Sequence, residues 1–113
     1  MAATYVDLLT IGITTSAAIA QYQPVTAAGA AATAAGNAVG FARVATASGG
    51  LCPVQVAGVA IATASAAIAV GALVEVSTTV TKVVTRSAGV SIGRALDAAS
   101  ADGDQIRVLI LPN

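Results

Sequence analysis

Along most of the chain β-branched residues alternate with small or polar ones, and Gly, Asn, Asp and Ser recur at short intervals. Alternation at period two puts successive side chains on opposite faces of a strand, and turn residues so closely spaced delimit short strands. The pattern predicts strands over residues 9–14, 38–45, 53–59, 73–77, 80–85, 90–96 and 105–111. Residues 27–37, 47–50 and 97–104, small and polar or glycine-bearing, read as loops. Alanine by itself favours helix, but Gly, Thr and Ser interrupt every alanine run here and no apolar stripe of period 3.6 persists. At most, residues 62–67 and 98–101 are expected to make one helical turn each.

One segment is written twice. Val39-Gly40-Phe41-Ala42-Arg43-Val44 and the strand Cys52-Pro53-Val54-Gln55-Val56 are echoed by Ile92-Gly93-Arg94-Ala95-Leu96-Asp97 and Gln105-Ile106-Arg107-Val108-Leu109. The spacing from Gly40 to Gly50 equals that from Gly93 to Gly103, which pairs those glycines between the copies. Upstream, Ile19 to Val25 precedes the first copy as Ile68 to Val74 precedes the second. Two matching halves predict an all-β fold, a small barrel or sandwich of about seven to nine short strands, because closing a sheet on itself removes exposed edges. The organisation expected is an N-terminal arm or first strand over residues 1–15, then one β-domain over 16–113 whose halves span about 19–60 and 68–111. Gly40 and Gly93, inside strand patterns, mark bulges or close backbone approach.

Composition adds that the core is thin. Of 113 residues 57% are hydrophobic, yet only 3% are aromatic and alanine dominates, and the stabilisation from burial scales with apolar area at about 25 cal/mol per Å². Five basic and five acidic groups sum to zero, with no basic cluster, so nucleic acid is excluded as a direct partner. So little charge protects poorly against association. A surface of this kind is expected to be covered by further copies of the chain or by a larger assembly.

The single cysteine, Cys52, excludes an intrachain disulfide and a cysteine-based metal cluster, and is read as a small buried hydrophobe. Ala18-Ile19-Ala20 mimics a signal-peptidase site, but the preceding residues contain Asp7 and no Lys or Arg. Residues 56–74 are uncharged and long enough to span a bilayer, but they are alanine-rich, hold Gly58, Thr63, Ser65 and Gly71, and lack basic flanks. No membrane association is expected.

Candidate chemistry is sparse. Without histidine, imidazole acid–base catalysis and ligation are closed. Ser77 and Ser87 lie near Lys82, but nothing marks a buried lysine or an oxyanion site, so the lysine reads as a solvated strand charge. Asp97, Asp102 and Asp104 cluster around Gly103 without the alternating oxygens and closing glutamate of a calcium loop, and Asp102-Gly103 reads as a turn. No phosphate-binding glycine motif occurs. No catalytic, cofactor-binding or metal-ligating residue is therefore assigned, and no enzyme is expected. Tyr5, Tyr22 and Phe41 are the only aromatics. Each fits either a core filler or an interface anchor, and with Val6 and Leu8 they form the candidate interface set.

The second copy, Ile68 to Val76 with Ile92-Gly93-Arg94-Ala95-Leu96-Asp97-Ala98-Ala99-Ser100-Ala101-Asp102-Gly103-Asp104 and Ile106 to Leu109, resembles the C-terminal half of tailed-phage capsid decoration proteins, also called cement proteins. The first copy, through Val56-Ala57-Gly58-Val59-Ala60, is similar to that family's central region. The resemblance runs from about Ile19 onward and departs from the family pattern in the N-terminal segment and in Ala27 to Ala35. It implies a β-rich structural protein made in the host cytoplasm. Such a protein sits on the outer capsid surface of the virion, bound to the major capsid protein, as a homo-oligomer and most often a trimer. It implies no cofactor. Residues 2–9, extended and outside the repeat, are suited to strand addition onto the capsid protein. Two other readings are a surface- or carbohydrate-binding β-module of a phage particle, and a small single-span membrane protein resting on residues 56–74.

Overall fold

The longest strand of the computed structural model, which describes residues 5–111, is built from the end of one half of the chain and the start of the other. In chain order the strands are β1 (Val6–Thr14), β2 (Pro24–Val25), β3 (Gly40–Ala42), β4 (Leu51–Thr63), β5 (Leu73–Val76), β6 (Val83–Thr85), β7 (Gly93–Ala95) and β8 (Gln105–Ile110), and the described residues contain no helix. All eight belong to one sheet that runs β2-β3-β4-β8-β7-β5-β6, with β1 on β4. The fold is a small all-β barrel, as the alternation and the paired segments predict.

The two halves share one hydrogen-bonding plan. Thr10 pairs with Gln55 and Thr14 with Leu51 in the first, as Val59 pairs with Leu109 and Thr63 with Gln105 in the second. Phe41 opposite Gln55 matches Arg94 opposite Leu109, and Pro24 opposite Phe41 matches Leu73 opposite Arg94. The start of β4 therefore closes the first half while its end opens the second. Each half also curls back on itself: Ser16 N–H donates to Gly29 O at 3.0 Å, and its counterpart Ser65 donates to Val83 O at 2.9 Å. Val83 makes a parallel bridge to Ala64, which returns β6 to the end of β4. The halves are laced together by Ala35, which donates to Val76 O and accepts from Val90 N–H.

Burial follows the same duplication. Ile19, Val25, Ala42, Cys52 and Val54 form the core of the first half, and their counterparts Ile68, Val74, Ala95, Ile106 and Val108 all lie in the larger core of the second. Each buried valine or isoleucine contributes about 1.5–3 kcal/mol relative to exposure, while the alanines at Ala42 and Ala95 let the strands approach closely. Phe41, from the first half, packs into the second core, where it is 2% exposed.

Several boundaries differ from the alternation pattern. β4 is longer at both ends than residues 53–59, and β1 begins at Val6 rather than at residue 9. β3 and β7 shrink to three residues each because the chain leaves the ladder where it bends around the barrel. β2, at Pro24–Val25, has too short a ladder for periodicity to register. The glycine pairing by spacing is corrected: Gly103 N–H donates to Ala64 O as Gly49, not Gly50, donates to Thr15 O. Both carry positive φ, 94° and 85°, so the second copy has one extra residue before its turn. The close-approach reading of Gly40 and Gly93 holds, since a Cβ at Gly40 would run into the Gln55 carbonyl and one at Gly93 into the Val108 side chain. The uncharged run 56–74 folds as the end of β4, a turn and the first residues of β5, and no helix among the described residues is long and apolar enough to cross a membrane.

Candidate functional site

β1 is exposed on both faces over most of its length. Val6 is 57% exposed, Leu8 75% and Leu9 52%, with Ile11 beside them. One edge of β1 is paired along β4, and no ladder occupies the other among the described residues. The register slips on either side of Leu9, so Leu8 is passed over in the pairing and points away from the sheet's regular alternation.

The slip is held by buried groups. Gln55, 2% exposed, donates from Nε2 to Val6 O and to Val59 O, both at 3.0 Å. Opposite Asp7 sits Gly58 with φ 102°, where a Cβ would collide with the Val6 carbonyl. Asp7 in turn accepts from Thr10 Oγ1 at 2.6 Å and from Arg43 Nη1 at 2.5 Å, and the Arg43 guanidinium lies 4.0 Å from the centre of the Tyr5 ring. Such stacking adds about 0.5–1 kcal/mol at exposed sites. The start of the described chain is thus tied to the residue that follows β3.

Behind this tie is a half-open cavity of about 320 Å³ lined by Tyr5, Tyr22, Phe41, Arg43, Gln21 and Ile61 among others. The structure thereby gathers all three aromatics of the chain, each an interface candidate, around one space, with Val6 and Leu8 following Tyr5 along β1. Phe41 lines it from the core, Tyr22 is half-buried, and Tyr5 stands 46% exposed. Tyr22 has φ 66°, a left-handed conformation.

The polar candidates are dispersed into structural pairs. Asp97 takes Arg107 in a fork, Oδ1 to Nη2 at 2.8 Å and Oδ2 to Nε at 3.0 Å, and also accepts the Arg107 backbone N–H. These bonds hold the Asp97 carboxyl below its ordinary range and raise the Arg107 pKa. Asp104 accepts from Ser100 N–H, Ser100 Oγ and Ala101 N–H, which lowers its pKa in the same way. Asp102 pairs with Lys82 at 2.6 Å, and Ser77 Oγ accepts from Thr79 N–H. The turn reading of Asp102-Gly103 holds, although Asp104 is the residue whose side chain caps it. No group of three potential metal ligands occurs among the described residues. Sequence reasoning passed over Gln55, Asp7 and Arg43. The one sign available was that Asp7 and Arg43 are opposite charges in an otherwise sparsely charged half.

Fold and site together define a two-part β-barrel module that offers an apolar strand and an aromatic cavity to its surroundings. The family model for phage cement proteins matches residues 6–110, and the chain belongs to that family. A solved structure, the N base of the head fiber gp8.5 of bacteriophage phi29, shares the fold with a TM-score of 0.71 at 14% sequence identity, over 91% of this chain and 93% of that one. No curated protein matches the chain significantly.

Proposed function

We propose that this protein decorates the outer surface of a phage head, where it binds the major capsid protein and stabilises the shell. Membership of the cement family supports a structural, non-enzymatic role in the virion. The observation that carries the reading is β1. A nine-residue strand with one edge unpaired among the described residues and with Val6, Leu8, Leu9 and Ile11 turned to solvent is a template for strand addition and an apolar surface in need of a cover. Capsid protein bound along that edge gains main-chain hydrogen bonds, and the apolar side chains supply area at about 25 cal/mol per Å².

In this proposal Tyr5, Val6 and Leu8 contact the capsid, while Tyr22 and Phe41 shape the cavity behind them. Residues 2–4 of the suggested arm lie outside the described residues, and Val6–Leu9 belong to β1, so attachment runs through a docked strand. The protein acts as a homo-oligomer, a trimer by preference, because symmetry lets several modest contacts act at high effective concentration. It is made in the host cytoplasm and recruited to the head.

The test is occupancy. Heads prepared without the protein should bind it saturably at stoichiometric copy number and then release DNA at a higher temperature. Absence of binding, or recovery of the protein with tails alone, overturns the reading. Its mass in solution reports whether trimers form before docking.

A further inference from the structure

We propose that the aromatic cavity beside β3 is a binding site for an uncharged saccharide of one or two pyranose rings. The internal repeat supplies the comparison. Tyr22 N–H donates to Ala42 O at 2.7 Å as Gly71 N–H donates to Ala95 O at 2.8 Å, so the two residues hold the same place in the two halves. Both have positive φ, 66° and 87°. Glycine adopts that conformation freely and a tyrosine is strained in it. The second half shows that the turn closes with glycine; the fold has no need of a tyrosine there, and strain of this kind gathers at functional sites.

The neighbouring positions differ in the same direction. Phe41 and Arg43 of the first half stand where the second has Arg94 and Leu96. The cavity with its three rings is thus peculiar to one half of a duplicated scaffold.

Its chemistry selects the ligand class. Arg43, the one charged lining residue, is already paired with Asp7 and stacked on Tyr5, so the site is electrically neutral and poorly suited to an anion. The Tyr5 and Tyr22 hydroxyls and the Gln21 carboxamide oxygen have no partner among the described residues, since Gln21 uses only Nε2, to Arg43 O. Hydroxyls that both donate and accept, set beside apolar rings, complement the hydroxyls and the C–H face of a sugar. A peptide strand is disfavoured because β3 is paired on both edges, by β2 and β4, leaving no ladder for it within the cavity. About 320 Å³ lies at the lower end of small-ligand pockets, enough for one or two rings.

The test is a titration of the full chain, followed by backbone amide NMR shifts, with N-acetylglucosamine, its β-linked disaccharide, maltose and lactose as probes. At least one should give saturable shifts confined to the amides around Tyr22, Phe41, Arg43 and Val44. Tyr22→Gly, which relieves the strained turn, should melt no lower than the parent and bind that probe about ten-fold more weakly through loss of the ring. No localised shift with any probe overturns the proposal, as does equal binding by the variant. Loss of capsid occupancy in Tyr22→Gly without any saccharide response would make the cavity a protein socket and equally overturn it, while leaving the decoration role intact.

Discussion

Gln55 donates its buried side-chain amide to the Val6 carbonyl across the β4–β1 boundary, at 3.0 Å. The same nitrogen reaches Val59 O, so one side chain satisfies carbonyls on both strands where the register slips. In the second half the equivalent residue is Leu109, which faces no such slip. Replacing Gln55 by Leu should therefore leave buried acceptors unpaired and cost about 1–3 kcal/mol. Denaturant unfolding measures the loss, and hydrogen exchange should place the weakened amides along β1.

Glycine substitutions separate crowding from backbone strain. At Gly71 nothing lies within 4 Å of an added Cβ and only the positive φ opposes alanine, so Gly71→Ala should cost about 1–2 kcal/mol. At Gly40 the Cβ meets the Gln55 carbonyl, which is held in the ladder. Gly40→Ala should cost about 3 kcal/mol, the upper end for overpacking. Melting temperatures of the two variants test the order.

Asp97 and Asp104 set the response to acid. Both carboxyls titrate below their ordinary 3.8 in the folded chain, Asp97 through the Arg107 fork and Asp104 through Ser100 and Ala101. A depressed carboxyl contributes stability above its unfolded pKa and loses it as pH falls through the folded value. Stability should hold between about pH 5 and 7 and decline below about pH 4. Asp97→Asn should lower the melting temperature at pH 7 and flatten that decline. Arg107, with its pKa raised, stays charged throughout this window.

Leu8 projects from the slipped pairing and is 75% exposed, so Leu8→Lys should change the stability of the isolated chain by no more than about 0.5 kcal/mol. Capsid occupancy should fall sharply, because a charge would be buried in the contact. Sedimentation and binding to heads, measured side by side, check both halves of the expectation.

Much of the scaffold is legible in the chain. Alternation located seven of the eight strands, and the likeness of Val39–Val44 to Ile92–Asp97 disclosed the two halves, because side chains facing a core at period two leave a mark at every position. β2 left none, as two residues contain no period. The Gly49–Gly103 correspondence also escaped notice, since an extra loop residue alters spacing without altering turn chemistry.

The site was visible only as separate residues. Tyr5, Tyr22 and Phe41 stood out by rarity, but their convergence depends on β1 pairing along β4 and on a left-handed turn at Tyr22. Gln55 read as one more polar residue in a strand until the slip at Leu9 gave its amide two carbonyls to serve.

The chain by itself determined the all-β class, the duplication, the absence of imidazole chemistry and the family, because these rest on local alternation, residue inventory and motif wording. Only the tertiary structure decided that β4 is shared between the halves, that β1 keeps an apolar edge unpaired among the described residues, and that three scattered aromatics line one cavity. Those features arise from pairings between residues far apart in sequence, and such contacts are set by sheet closure and core packing, which local patterns do not encode.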